Sequence, residues 1–139
     1  LNHASRMVEA ATSKGLALAD LYIDPLVFPI SVDSHFGNDC FEAIRRLRQT
    51  FGGEIHITGG FSNVSFGLPC RRLINDVFLL LAVEAGADSA IMDPTAASLS
   101  EVFGLDRSSR PCQLAEDMLL GRDEYCAQFL RAYRKGELA

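Results

Sequence analysis

The chain has 139 residues, 48% of them hydrophobic and 22% charged, which suits one globular domain with an adequate core. A formal net charge of −5 argues against nucleic acid; Arg45, Arg46 and Arg48, and then Arg131, Arg134 and Lys135, sit among acids on helix-like stretches and read as solvated faces. No apolar run approaches the ~18 residues of a membrane-spanning helix and Leu1–Ala10 has no signal-peptide pattern, so a soluble protein is expected.

Ala4–Lys14 is helix-like, with Met7, Val8, Ala10 and Ala11 on one side and Gly15 as its stop. Asp20–Val27 is a short run of strand formers whose ladder should end at Pro25. A loop follows to Gly37, and Asn38 suits the cap of a helix carrying Phe41, Ile44 and Leu47. Gly52-Gly53 introduces a second strand, Glu54–Thr58, and a turn-rich segment runs from Gly59 to Pro69. The spacing of Ile74, Val77, Phe78 and Leu81 predicts a helix over Arg72–Ala85, stopped by Gly86. Ala87–Met92 reads as a third strand, broken by Asp93-Pro94. Pro111 suits the first turn of a helix to Leu120, and Asp123 begins a last one through about Lys135.

Strands separated by single helices imply β-α-β units and a parallel sheet. The unusual residues fall just after the strands, in 25–37, 59–70 and 93–98. Active sites occupy that position in (β/α)8 barrels and in open doubly wound sheets alike, and periodicity does not choose between them. The strand runs read as apolar on both faces, as in a sheet covered on both sides. Three strands are too few for a barrel, which needs about eight. The remainder is expected from missing N-terminal sequence or from self-association, because unpaired apolar edges associate.

Two clusters carry candidate chemistry. Asp24, at the end of D-L-Y-I-D-P, could accept two N–H bonds from a flat heterocycle; it could equally cap a helix or brace a loop. Ser62-Asn63-Val64-Ser65-Phe66-Gly67-Leu68-Pro69, with Arg71 close behind, places an amide and hydroxyls directly after a strand. An Asn can donate and accept at once, which suits a ring nitrogen whose protonation changes. The same residues also make an ordinary polar turn.

Cys40, Cys70, Cys112 and Cys126 lie far apart, with no C-x-x-C and no nearby histidine pair, so no zinc or iron–sulfur site is expected. They read as reduced thiols of a cytoplasmic protein, with Cys40, Cys112 and Cys126 buried on helices. His56 reads as a packed or edge residue rather than a ligand, His3 as solvated, and Asp93 as the cap of a turn or a wall of the site.

Together D-L-Y-I-D-P-L-V-F-P, G-G-F-S-N-V-S-F-G-L-P-C-R-R-L-I-N-D-V-F and A-G-A-D-S-A-I-M-D-P resemble the last three strand-loop units of the pterin-binding methyltetrahydrofolate-corrinoid methyltransferases. That family includes the folate domain of cobalamin-dependent methionine synthase and the methyltransferase of the corrinoid iron–sulfur protein, whose closing helices the tail A-E-D-M-L-L-G-R-D-E-Y-C-A-Q-F-L-R-A-Y-R also resembles. The resemblance implies an α/β fold: residues 1–139 would be the C-terminal part of a TIM (β/α)8 barrel, a single domain with about three parallel strands. It implies transfer of the N5-methyl group of methyltetrahydrofolate to the Co(I) of a corrinoid carried by a partner protein. Asp24 would hydrogen-bond the pterin, Asn63 would sit beside N5, Ser62 would support this loop and Arg71 matches a basic position near the folate. Phe66-Gly67-Leu68 stands where some members carry polar residues, and the family's other pterin-binding carboxylate and amide lie on strands outside this chain. Two alternatives stay open. One is a non-catalytic pterin- or corrinoid-binding module. The other is a dihydropteroate synthase-like enzyme, although the late Lys and Arg-x-His that it would want are missing from D-S-A-I-M-D-P.

Overall fold

The computed structural model describes residues 1–93, 95 and 98–138. Apolar spacing and end signals set its helices: α1 (Asn2–Thr12), α2 (Phe36–Phe51), α3 (Arg71–Ala85), α4 (Leu99–Phe103), α5 (Arg110–Leu119) and α6 (Ala127–Arg134). Phe41 and Ile44 of α2, Ile74 and Phe78 of α3, Met118 of α5 and Phe129 of α6 are fully buried and form one core. The rings of Phe41 and Phe78 meet at 4.9 Å. Gly37 sits where α2 crosses the end of α5; a Cβ there would collide with the Leu119 carbonyl. None of these helices is long and apolar enough to cross a membrane.

The sheet is a short parallel pair, β1 (Tyr22–Ile23) and β2 (His56–Ile57), with Tyr22 opposite His56 and Ile23 opposite Ile57. The His56 N–H donates to the Leu21 carbonyl at 2.9 Å and the Thr58 N–H to that of Ile23 at 3.0 Å. Alternation turns Ile57, 0% exposed, toward the helices. The other face is not apolar, contrary to the expectation from the sequence: Tyr22 is 59% exposed and stacks on the His56 ring at 4.5 Å.

Both strands are shorter than the sequence predicts. Leu18–Asp20 coils into a 3-10 helix before β1, and Leu26 lies in the left-handed region at φ 63°, which ends extended structure beyond Pro25. The third strand expected at 87–92 runs beside β2 without becoming a ladder strand. Asp88 and Ser89 N–H groups both donate to the Ile57 carbonyl, at 3.2 and 3.3 Å, and Ile91 N–H donates to that of Gly59 at 3.0 Å. The Ile57 N–H, however, finds the Asp88 carboxylate at 2.9 Å rather than a carbonyl. The Gly86 carbonyl is taken by Arg48, through Nε at 3.0 Å and Nη2 at 2.7 Å. Side chains thus occupy the bonding positions of a third strand. Of the break expected at Asp93-Pro94, Pro94 lies outside the described residues, as do Ala96 and Ala97 of the 93–98 loop.

Two helix starts also differ. Asp33 accepts the His35 N–H at 2.8 Å, so α2 begins at Phe36; Asn38 is not its cap but donates through Nδ2 to the Leu120 carbonyl at 2.6 Å. The last helix is split. Tyr125 and Cys126 have positive φ, and the buried Asp123 carboxylate caps α6 by accepting the Gln128 and Phe129 N–H groups, each at 2.9 Å.

Candidate functional site

The ends of β1 and β2 lie side by side because the strands are parallel and in register, and each runs into a tight turn. At the end of β1, Asp24 is exposed and its Oδ1 accepts the Leu26 N–H at 2.8 Å. At the end of β2 comes Gly59-Gly60. A Cβ on Gly59 would lie 2.6 Å from the Phe61 ring and 3.4 Å from Asp24 Oδ1, and one on Gly60 would lie 3.5 Å from Asn63 Nδ2. Asp24 and Asn63 therefore flank the same bare stretch of backbone, one from each strand end. At Gly59 the missing Cβ makes way for the Phe61 ring, and Gly60 beside it meets nothing closer than Asn63 Nδ2, so main chain is left bare on the Asn63 side.

Asn63 is exposed on a 3-10 helix, Phe61–Ser65, that follows β2. Buried Phe61 and Val64 pin this helix to the core, Phe61 edge-on to Phe78 at 5.6 Å. The Ser62 carbonyl accepts the Ser65 hydroxyl at 3.1 Å and Arg71 Nη2 at 3.1 Å. Arg71 Nε donates to Ser65 Oγ at 3.0 Å, and the guanidinium carbon stands 5.9 Å from the Phe66 ring centroid. The structure thus joins Arg71, at the start of α3, to the turn that holds Ser62 and Asn63, with Asp24 beside Gly59. Ile30 N–H to the Val64 carbonyl at 2.9 Å, and Ser31 Oγ to that of Phe66 at 2.8 Å, tie the loop after β1 to the loop after β2.

Asp93 is exposed and accepts the Thr95 N–H and hydroxyl at 2.9 and 2.7 Å; the hydroxyl first and the N–H second hold its carboxyl below the usual range. It caps a turn. A small cavity of about 110 Å³ lies beside it, between Ser62 and α3, which no sequence motif signals. Its walls include Asn75, whose buried Oδ1 has no partner among the described residues, and Asp76, whose carboxyl is pushed up by burial against the nearby Arg72 charge. A larger apolar concavity of about 590 Å³, lined by Leu79, Val83, Met92, Leu99 and Phe103, contains none of Asp24, Ser62, Asn63 and Arg71.

At the opposite end of β2, His56 Nδ1 pairs with Asp88 Oδ2 at 2.9 Å, and His56 is packed as the sequence suggested. The four cysteines are free, with Cys40, Cys112 and Cys126 buried. Burial, and then the Asp24 charge, push the Cys40 thiol up to about 12, so it is an inert neighbour of the site.

Residues 2–93 match the family described as pterin binding enzyme, and the chain belongs to that family. All four site residues fall within the matched span. The chain is 36% identical over 132 residues to the methylcorrinoid:tetrahydrofolate methyltransferase of Eubacterium limosum, across 95% of this chain and 45% of that protein. It is 36% identical over 96 residues to the methionine synthases of Mycobacterium tuberculosis (strain ATCC 25618 / H37Rv) and Mycobacterium leprae (strain TN), across 64% of this chain and 8% of each of them. The chain spans less than half the length of these relatives. The resemblance carried by D-L-Y-I-D-P and S-N-V-S is upheld.

Proposed function

We propose that this chain is the C-terminal part of a pterin-binding barrel that moves the N5-methyl group of methyltetrahydrofolate to the Co(I) of a corrinoid protein. One observation supports this above others: at the carboxyl ends of two neighbouring parallel strands, Asp24 Oδ1 lies beside Gly59 and Asn63 Nδ2 beside the adjacent Gly60. A flat pterin laid against that backbone would meet a carboxylate on one edge and an amide on the other. Asp24 accepts the ring's N–H donors, Asn63 stands at N5, Ser62 supports the loop and Arg71 stands beside the folate.

The corrinoid supplies a Co(I) electron pair that forms the bond to the methyl carbon as the N5–CH₃ bond breaks. The electrons of that bond go to N5, which leaves as a protonated, neutral amine only if a proton is held there. Asn63 stabilises that proton through its carbonyl as charge develops, a preorganised hydrogen bond of the oxyanion-hole kind with the sign reversed. The Eubacterium limosum relative is named for transfer from methylcorrinoid to tetrahydrofolate. By microscopic reversibility the same contacts serve both directions, so direction is set by the acceptor and its redox state rather than by Asn63 or Asp24.

The free thiols suit a cytoplasmic setting. Methyl transfer from methyltetrahydrofolate to cob(I)alamin, followed spectroscopically with the full-length protein, tests the proposal. Folate binding without transfer would favour a non-catalytic module instead.

A further inference from the structure

Arg71 is the first residue of α3, a helix with no acid in its first turn and no side-chain cap. A cation there opposes the helix dipole, so its placement needs another cause. Among the described residues, every partner of its guanidinium lies within residues 62–66: Ser65 Oγ at 3.0 Å, the Ser62 carbonyl at 3.1 Å and the Phe66 ring at 5.9 Å. Ser65 is 0% exposed. Its hydroxyl accepts from Arg71 and donates to the Ser62 carbonyl, so both its roles are spent inside the loop.

We infer that Arg71 and Ser65 are positioning residues: together they fix the 3-10 turn that presents Asn63, and Arg71 acts on the reaction through that turn rather than by holding the folate. The inference rests on the methyl-transfer reading of Asn63 for its effect on rate. The mechanical part is independent of it. Asn63 lies between the two anchor points, Ser62 and Ser65, and its own backbone is bound only locally: its N–H to the Gly60 carbonyl at 3.1 Å and its carbonyl to the Phe66 N–H at 3.1 Å. Without the guanidinium clasp the turn keeps those two bonds, the Ile30 bond to Val64 and the Phe61 contact with Phe78 of α3, and loses its polar cross-link to the start of α3. A displacement of about an ångström at a reacting group can cost ~10²-fold in rate.

The test uses the full-length protein with Arg71→Ala, Arg71→Lys, Ser65→Ala and the double variant Arg71→Ala/Ser65→Ala. Two quantities are measured: amide hydrogen exchange over residues 61–66, with α3 as internal control, and kcat and KM for methyltetrahydrofolate with cob(I)alamin as acceptor. Arg71→Ala and Ser65→Ala should each speed exchange at 61–66 by ~10-fold or more, with α3 unchanged, and lower kcat ~10-fold while KM stays within ~2-fold. The double variant should be no worse than Arg71→Ala, because the two residues act as one unit. Arg71→Lys keeps the charge without the fork and should resemble Arg71→Ala. A raised KM in Arg71→Ala with unchanged exchange would make Arg71 a folate ligand and overturn the inference, as would parental behaviour of Ser65→Ala. Absence of methyl transfer in the parent would remove the functional reading alone; the exchange comparison still decides the clasp.

Discussion

Asp88 Oδ1 accepts the Ile57 N–H at 2.9 Å, so a carboxylate stands where a third strand would offer a carbonyl. Its Oδ2 holds His56 Nδ1 at 2.9 Å and lies 3.4 Å from Arg48 Nη2. One side chain thereby ties the 87–92 segment to β2 and orients the His56 ring on which Tyr22 stacks.

This arrangement predicts a pH dependence. Burial alone would raise the Asp88 carboxyl; the Ile57 N–H, His56 and Arg48 together outweigh it and hold the group below its ordinary 3.8. A carboxyl with a depressed folded-state value contributes stability that is present above the unfolded value and lost as pH falls through the folded one. Asp88→Asn keeps an acceptor for Ile57 and removes the charge. The stability advantage of the parent over Asp88→Asn, from urea unfolding, should be full at neutral pH and shrink below 3.8. An advantage that stays constant on acidification would contradict this.

Arg48, half-buried rather than on the solvated face expected for it, is predicted to matter to folding. Its Nη1 donates to the Gly52 and Ile55 carbonyls, each at 2.8 Å, while Nε and Nη2 share the Gly86 carbonyl. Arg48→Met keeps the apolar stem and strips the donors from three carbonyls. Partly buried acceptors left unpaired should lower unfolding free energy by ~2–3 kcal/mol. A loss under ~0.5 kcal/mol would place Arg48 among ordinary surface residues.

Asp24→Asn should weaken methyltetrahydrofolate binding without disturbing the fold. The amide still accepts the Leu26 N–H but presents donors to the donor edge of the ring, a mismatch worth ~1–3 kcal/mol. Calorimetry giving the parental affinity would reduce Asp24 to a brace of the Leu26 turn.

Self-association of the isolated chain follows from what the loops and strands leave uncovered. Leu26, Phe28, Val32, Phe66 and Ile91 are all exposed, and among the described residues β1 pairs only with β2. Exposed apolar surface at ~25 cal/mol per Å² and an unpaired strand edge both favour association. Light scattering over a dilution series should find particles larger than 15.2 kDa at micromolar concentration. A monodisperse monomer would mean that the two-stranded sheet is self-sufficient.

The helices were the most legible part of the sequence. Ile74, Val77, Phe78 and Leu81 are buried at the spacing that named them, as are Phe41, Ile44 and Leu47. Helix α4 was missed although Ser98-Leu-Ser-Glu101 is a capping-box signal, and Ser98 and Glu101 do cap each other. The third strand failed for a reason that hydropathy cannot encode: Arg48 and Asp88 compete with backbone groups across 38 and 31 residues of sequence. At the site, Asp24 and Asn63 could be named from strand-end position and resemblance. The bonds of Arg71 to residues six and nine positions back depend on the left-handed Cys70, at φ 52°, which no periodicity announces.

The central claim is that Asn63 serves the reacting N5, and its most direct test is the single-turnover rate of methyl transfer from saturating methyltetrahydrofolate to cob(I)alamin. In the full-length protein, Asn63→Ala should slow that step by ~10²–10³ while weakening folate binding far less, because the hydrogen bond matters most as charge develops. Equal rates in variant and parent would contradict the account.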